Sequence, residues 1–214
     1  MRSLVRGVLW VLGILAVIAL ALYATVFDIW VVPSDDPNLT ASILPTLAPG
    51  DVVLVTRHGG SASPQSLERC TDPDAPGRFV IARVAGIAKQ QIEISRDTLR
   101  VDAHDLSVSG TTGCPSPDVD VESPVSHELT TLICSRTDAA GLSHGMLRGK
   151  SGFEEDLAVT VDPGKIYLVS DDFHFHQDSR DFGQIDPATC GHIVFRLVGS
   201  GGISDGSRRF TLIW

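Results

Sequence analysis

The feature that most constrains this chain is an uninterrupted apolar run close to its N-terminus. From Gly7 to Phe27 the sequence has 21 residues without a charge or a proline. As a helix rising 1.5 Å per residue, such a run spans a bilayer core of about 30 Å. A cleavable signal peptide is the alternative, but its apolar region usually has only about 7 to 15 residues and ends in small residues. The run therefore predicts a membrane anchor.

The charges on either side of this run predict how it is oriented. Arg2 and Arg6 precede it, whereas Asp28, Asp35 and Asp36 follow it. By the positive-inside rule, the N-terminus then stays in the cytoplasm. We therefore expect a single-pass protein of the inner or plasma membrane, with a cytoplasmic segment at 1–6, a span at 7–27 and an extracytoplasmic domain at 31–214.

The acidic composition limits the possible partners. Seventeen Lys and Arg stand against 26 Asp and Glu, which gives a net charge of −9 and a pI near 5.1. Phosphate binding needs a basic face, so no nucleic-acid partner is expected. Removing residues 1–30 takes away two Arg and one Asp and leaves −10, which disfavours broad adhesion to anionic headgroups. Membrane lipid is expected around the anchor, and the sequence does not indicate an oligomeric state.

The four cysteines, Cys70, Cys114, Cys134 and Cys190, all follow the anchor. Outside the cytoplasm disulfides persist, so we expect either one or two disulfide bonds at the surface or buried free thiols. Four thiols allow three complete pairings, and the spacing does not choose among them. No C-x-x-C pair or His/Cys cluster has zinc-like spacing, so neither a metal nor another cofactor is expected.

The rest of the chain has the pattern of a mostly β protein. Short β-type segments are separated by turn-rich stretches, and no strongly amphipathic helix stands out. The predicted strands are 51–56, 79–84, 91–94, 98–101, 165–169 and 192–198, with weaker signals at 128–134 and 157–161. Gly, Ser, Pro and Asp mark 58–77 and 104–124 as loops. We predict one β domain after a transmembrane helix, with a small inserted β subdomain at about 104–160.

A serine lies in a short irregular stretch after the anchor. Residues 38–51 read Asn-Leu-Thr-Ala-Ser-Ile-Leu-Pro-Thr-Leu-Ala-Pro-Gly-Asp. This stretch resembles the nucleophile box of type I signal peptidases, Ser-x-Ser-Met-x-Pro-Thr-Leu-x-x-Gly-Asp. The resemblance implies that Ser42 is the nucleophile and that Thr40, together with the Ser42 N–H, forms an oxyanion hole. It also implies shallow apolar substrate pockets, here assigned to Ile43, in place of the usual Met, with Leu47, Val80 and Ile81.

A second match lies near the C-terminus. Residues 170–183 read Ser-Asp-Asp-Phe-His-Phe-His-Gln-Asp-Ser-Arg-Asp-Phe-Gly and resemble the family's Gly-Asp-Asn-Arg-x-x-Ser-x-Asp-Ser-Arg-x-x-Gly box. Asp178, Ser179 and Arg180 fall in register, with supporting roles in which Asp178 and Arg180 form a buried ion pair. Two such boxes after a single span are much more specific than either alone.

A third stretch departs from the family pattern. Residues 79–86 read Phe-Val-Ile-Ala-Arg-Val-Ala-Gly and resemble the family's Tyr-x-Ile-Lys-Arg-Val-x-Gly strand, whose lysine is the general base. Ala82 occupies the lysine position and has no proton acceptor, so the Ser/Lys dyad cannot form there. The chain has three lysines, Lys89, Lys150 and Lys165, and none of them aligns with this position.

Three explanations stay open for the missing base. The first is relocation to His176, which stands where the family usually has a serine that binds the lysine; an imidazole is a competent base at neutral pH, and Asp178 would orient it. The second is a pseudoenzyme that keeps the groove, and the third is an introduced change at Ala82. Against all three stands a structural interpretation, in which His174 and His176 merely alternate with phenylalanines at a strand end.

The resemblance implies a membrane-bound serine endopeptidase that removes signal peptides from exported preproteins. Its substrates would have small side chains at the first and third positions before the cut, because shallow pockets exclude larger ones. The substrate would add as a strand along residues 79–83. The alternatives are a narrow-specificity maturation protease of the same fold and a catalytically inactive module that binds signal peptides.

Overall fold

The computed structural model describes residues 2–57, 62–95, 98–108, 114–139, 142–150 and 156–213. Its helices are α1 (Arg2–Val26), α2 (Pro37–Ser42) and α3 (Ser179–Phe182). Its strands are β1 (Phe27–Val31), β2 (Val52–Thr56), β3 (Leu67–Thr71), β4 (Phe79–Ile87), β5 (Gln91–Ser95), β6 (Thr98–Val101), β7 (His104–Asp105), β8 (Ser107–Val108), β9 (Asp118–Glu122), β10 (Leu129–Ala139), β11 (Leu142–Arg148), β12 (Leu157–Thr160), β13 (Ile166–Val169), β14 (Cys190–Val198) and β15 (Thr211–Leu212). The chain is therefore mostly β with an apolar N-terminal helix, as the sequence predicted.

Helix α1 contains the apolar run. Its segment Arg6–Val26 is long and apolar enough to cross a membrane, and its described side chains are exposed. The helix ends at Val26, one residue before the predicted end of the membrane span, because Phe27 already pairs with Thr56 as the first residue of β1. The domain after the helix thus begins with a strand.

A seven-stranded sheet forms the centre of this domain. Its strand order is β1-β2-β14-β3-β4-β13, and β15 pairs with β14. Strand β4 pairs with β3 from Phe79 to Arg83 but with β13 only from Arg83 to Ile87. On the side away from β3, residues 79–82 are therefore unpaired in this sheet.

The two faces of β4 contribute to two different parts of the core, because successive side chains on a strand alternate. Ile81 packs with Leu39, Ile43 and Leu47 on the face covered by α2. The opposite face carries apolar and small side chains, namely Val80, Ala82 and Val84, which pack with Cys70, Leu168 and Cys190. Full burial of each large aliphatic side chain contributes about 1.5 to 3 kcal/mol, so this packing fixes α2 against β4.

Two smaller sheets complete the domain. In the first, β10 lies between β11 and β8 and also pairs with β9; in the second, the order is β12-β5-β6-β7. Within the region 104–160 expected for the insert, strands β8 to β11 thus form a sheet of their own, whereas β12 pairs with β5 outside it.

The six main predicted strands are present as β2, β4, β5, β6, β13 and β14, and the two weaker signals as β10 and β12. However, two predicted loops contain strands. The expected loop 58–77 contains β3, and the expected loop 104–124 contains β7, β8 and β9. The charged residues Glu68 and Arg69 disfavour a buried strand in the sequence pattern of β3. In the structure, however, Glu68 is buried and Arg69 lies against aromatic rings. Residues 58–61 and 109–113 of these loops lie outside the described residues.

The structure selects one of the three possible cysteine pairings. Cys70 on β3 is bonded to Cys190 on β14, across 120 residues of sequence. Cys114 is bonded to Cys134 on β10, which closes a shorter loop in the inserted sheet. The first disulfide thus ties β3, a neighbour of β4, to β14, and the second lies within the inserted sheet.

Candidate active site

Ser42 is the last residue of α2, a helix of six residues. The side chain of Asp36 caps this helix by accepting a hydrogen bond from the Leu39 N–H at 3.1 Å, and Pro37 opens its first turn. Ser42 is fully buried, and its hydroxyl donates to the Leu39 carbonyl at 3.0 Å. Its proton is therefore directed at the main chain and not at a side-chain base of the described residues.

Thr40 lies two residues before Ser42 on the same helix. Its hydroxyl oxygen is buried and has no hydrogen-bond partner among the described residues. Most buried hydroxyl groups are hydrogen-bonded, so the unpaired hydroxyl of Thr40 is unusual. It would gain a partner if it donated a hydrogen bond to the carbonyl oxygen of a bound substrate.

The three sequence boxes meet around Ser42. The Asp172 N–H donates to the Ser42 carbonyl at 3.0 Å, which joins the first box to the second. Arg83 in the third box donates from Nε to Asp171 Oδ1 at 2.7 Å and from Nη2 to Thr46 Oγ1 at 3.3 Å. Segments about 130 residues apart in sequence are thus bonded into one site.

Ala82 lies on the face of β4 opposite to α2, in an apolar cluster. Its partner across the sheet is Glu68, which is buried. Glu68 accepts a hydrogen bond from Ser66 Oγ at 2.7 Å and lies 3.4 Å from His192 Nδ1. A longer side chain at position 82 would therefore share a face with a buried carboxylate.

The ring of His176 is held by Asp181, and not by Asp178 as the sequence suggested. His176 Nδ1 lies 2.9 Å from Asp181 Oδ2, and the side chain is 28% exposed. Because Nδ1 is engaged in this way, proton transfer by this ring would use Nε2.

Asp178 is instead bound to Arg180. Its Oδ1 accepts from Arg180 Nε at 2.9 Å and its Oδ2 from Nη2 at 2.6 Å, and both side chains are buried. Burial opposes the ionisation of Asp178, but the attraction of Arg180 and the hydrogen bonds from Arg180 and Ser170 outweigh it and lower the pKa. Ser179 Oγ accepts from the Leu168 N–H at 2.9 Å. These residues fix the loop that carries His176.

His176, Asp178 and Asp181 each place one potential metal-ligand atom within 4.8 Å of the others. However, both carboxylate oxygens of Asp178 already accept hydrogen bonds from Arg180, and Asp181 Oδ2 accepts from the Asp178 N–H. Ion pairing and the capping of α3 therefore account for this group without an ion.

The four residues expected to line a substrate pocket do not all lie together. Ile43, Leu47 and Ile81 share one buried cluster on the α2 face of β4. Val80 belongs to the cluster on the other face, because it is adjacent to Ile81 on the strand. Val80 is therefore separated from the other three.

Two titratable groups near the site were not identified from the sequence. Asp172 is fully buried. Its Oδ1 accepts hydrogen bonds from the N–H groups of His174 and Phe175, whereas its Oδ2 has no partner among the described residues. Burial raises the pKa of this carboxyl group to about 7. His144 on β11 lies 3.6 Å from Asp171 Oδ1, and burial, helped by Arg83, lowers its pKa to about 3. The family pattern has Asn at position 172, so the Asp in this sequence could have indicated an unusual carboxyl group there. No sequence feature pointed to His144.

Comparison with known proteins agrees with this geometry. A family model described as "Signal peptidase, peptidase S26" matches residues 6–197, which is most of the chain and includes all three boxes. A search of curated proteins finds no match to this chain. The chain therefore belongs to the signal peptidase family S26.

Proposed function

We propose that this protein is a membrane-anchored serine endopeptidase that removes signal peptides from exported preproteins. The observation that carries the proposal is the bonding of the three boxes around Ser42, in a chain of the S26 family. The apolar helix supports a membrane location, and the flanking charges support a cytoplasmic N-terminus with the β domain outside.

In the proposed mechanism the Ser42 hydroxyl turns away from the Leu39 carbonyl and attacks the scissile carbonyl carbon. The Thr40 hydroxyl and the Ser42 N–H stabilise the negative charge on the carbonyl oxygen. His176 accepts the serine proton at Nε2 and returns it to the leaving amine, while Asp181 stabilises the imidazolium. Water then hydrolyses the acyl-enzyme and regenerates the serine.

The stretch of β4 at residues 79–82 that lacks a strand partner is where the substrate would bind, after the groups that bury residues 80–82 move aside. An extended peptide adds to such an edge through main-chain hydrogen bonds, and its alternate side chains face the protein. Shallow apolar pockets, as the family resemblance implies, would then favour small side chains at the first and third positions before the cut.

A second candidate is a catalytically inactive protein that binds signal peptides. Two observations favour it: the Ser42 hydroxyl is bonded to a main-chain carbonyl, and Ala82 presents only a methyl group where the family has its base. Such a protein would keep the strand edge and the anchor but lack turnover.

The test is cleavage of a preprotein with an Ala-x-Ala site by the full chain in detergent. The parent is compared with Ser42→Ala, His176→Ala and Ala82→Lys. A matched control is His127→Ala, because His127 also pairs with a carboxylate, Glu122, at 3.0 Å, but is exposed on the inserted sheet side.

We expect the parent to cleave, Ser42→Ala to abolish cleavage and His176→Ala to reduce it by at least 10²-fold, as for loss of a general base. Full activity of His176→Ala would refute the relocated base while leaving the peptidase function intact. An inert parent that Ala82→Lys activates would identify a signal peptidase whose base was removed. If neither the parent nor the Ala82→Lys protein cleaves but both still bind the signal peptide, the result would favour the second candidate, a catalytically inactive protein that binds signal peptides.

A further inference from the structure

A groove lies between the start of β4 and the segment that follows β1. Its volume is about 280 Å³, and its lining includes Trp30, Pro33, Asp35, Asp36, Arg78 and Phe79. We call it the Trp30 groove. Asp36 and Arg78 face each other across it, with Arg78 Nη1 3.7 Å from Asp36 Oδ2.

The Trp30 groove continues into the path of the substrate. Phe79, on one wall, begins the unpaired edge of β4, and Asp36, on the other wall, caps the helix that ends in Ser42. Phe79 is three residues from Ala82, or about 10 Å along the strand, and the six residues of α2 span about 9 Å. With the cut placed beside Ala82, the position of the family's base, an extended chain has the fourth residue before the cut in this groove.

The groove lies on the side of the domain that meets the anchor. Trp30 is four residues after the end of α1, or at most about 13 Å along β1. In a signal peptide the apolar segment is in the membrane and precedes the cut. The Trp30 groove would therefore receive residues before the cut, between the membrane and Ser42.

The charges and rings of the groove select for a cation. Among the residues that line the groove, the carboxylates of Asp35 and Asp36 stand against the guanidinium of Arg78, which is 65% exposed, so solvent weakens its effect. The guanidinium of Arg69 also lies near the rings, but it is paired with Asp28 at 3.7 Å. Asp36 is already engaged as a helix cap, whereas Asp35 is exposed and has no partner among the described residues. Trp30 and Phe79 already accept the guanidinium of Arg69, at 5.3 and 4.6 Å from the ring centroids. Trp30 and Phe79 are both still partly exposed, and the stem of a long cationic side chain would pack on this remaining ring surface with its charge near Asp35.

We propose that the Trp30 groove binds a lysine or arginine side chain of the precursor about four residues before the cut, with Asp35 as the residue that determines this preference. This inference rests on the proposed function and makes the protein a narrow-specificity processing protease. An acidic side chain at the same place would be repelled, and a neutral one would gain nothing from Asp35.

The test uses three preproteins that differ only at the fourth residue before the cut, which is Lys, Gln or Glu. Their kcat/KM values are measured with the full chain in detergent at low and high salt, for the parent, Asp35→Asn and Asp35→Lys. The matched control is Asp118→Asn, because Asp118 is also exposed but lies on β9 of the inserted sheet. The same three sequences, as labelled peptides, are tested for binding to the Ser42→Ala protein.

We expect the parent to prefer Lys over Glu by about 5-fold or more at low salt, as one exposed charge pair allows, with the preference shrinking at high salt. Asp35→Asn should reduce the ratio, Asp35→Lys should invert it, and Asp118→Asn should leave it unchanged. Equal rates for the three substrates, or a ratio that Asp35→Lys does not alter, would overturn the inference. If no substrate is cleaved but the Lys peptide binds best in an Asp35-dependent way, the groove assignment stands and the peptidase function fails.

Discussion

A single buried residue, Asp172, links the candidate nucleophile to the loop that carries His176. The Asp172 N–H binds the Ser42 carbonyl, and its side chain accepts hydrogen bonds from the N–H groups of His174 and Phe175. Its second oxygen has no partner among the described residues. Burial therefore disfavours the charged form and raises the pKa to about 7.

The Asp172→Asn variant should change how stability depends on pH. The folded pKa is higher than the value of about 3.9 expected for an unfolded aspartate, so the folded chain binds more protons between pH 4 and 7 and loses stability as pH rises through this range. Asn keeps the acceptor for the two N–H groups but cannot ionise. At pH 8 the variant should be more stable than the parent by on the order of 2 to 4 kcal/mol, and at pH 4 by little. Unfolding in urea at both pH values measures this, with Asp118→Asn as control; an equal effect at both would contradict it.

At this scale the sequence predicted the buried ion pair of Asp178 and Arg180 but not the partner of His176. Ser42, Thr40, Asp178, Ser179 and Arg180 could be placed by their position in the boxes. That Asp181 and not Asp178 holds His176 could not, because it depends on the turn at α3, where Arg180 takes both oxygens of Asp178. Nor could the orphaned oxygen of Asp172 be predicted, since it reflects burial by neighbouring segments.

At the scale of elements, β4 connects the site through one buried ion pair. Arg83 and Asp171 are bonded at 2.7 Å with side chains only 4% and 1% exposed, which ties β4 to the segment after β13. Truncating one partner leaves the other charge buried, so Arg83→Met or Asp171→Leu alone should lower the free energy of unfolding by about 3 to 5 kcal/mol. The double variant should cost less than the two single changes together, because no unpaired charge remains.

Chemical unfolding of the four proteins gives this coupling directly. The control cycle uses Arg136 and Asp138 on β10, a pair with 34% and 29% exposed side chains, for which the coupling should be much smaller. Strict additivity of the Arg83 and Asp171 changes would show that the pair does not hold these elements together.

The elements themselves differ in how well the sequence predicts them. The run of apolar residues in β4 predicts a strand, whereas the sequence of its neighbour β3, Leu-Glu-Arg-Cys-Thr, does not. The charges of β3 are satisfied only after folding, when Glu68 meets His192 and Arg69 meets Asp28 and two aromatic rings. Such long-range partners leave no local pattern, so propensity alone misses the strand.

At the scale of the whole molecule, the boundary between helix and domain differs from the sequence-based one. The sequence predicts a domain that starts at residue 31, but β1 (Phe27–Val31) already pairs with β2 along its whole length. Trp30 packs against the core, and Val32 is buried within it. The described side chains of α1, in contrast, are exposed. The domain that folds as a unit should therefore begin at Phe27.

Two truncated chains test this boundary. Deleting residues 2–26 removes exposed apolar surface and should change the Tm of the remaining domain by no more than a few degrees. Deleting residues 2–32 also removes β1 and the buried Val32, which should lower the Tm by at least 10 °C, since several kcal/mol of burial and strand pairing are lost.

Under the proposed function, the chain that lacks residues 2–26 should still cleave a water-soluble peptide. Its rate on a liposome-embedded preprotein should fall by about 10²-fold or more, because enzyme and substrate no longer share a membrane. Equal Tm values for the two truncated chains would place the boundary after β1, and undiminished activity on liposomes would remove the anchor from the mechanism.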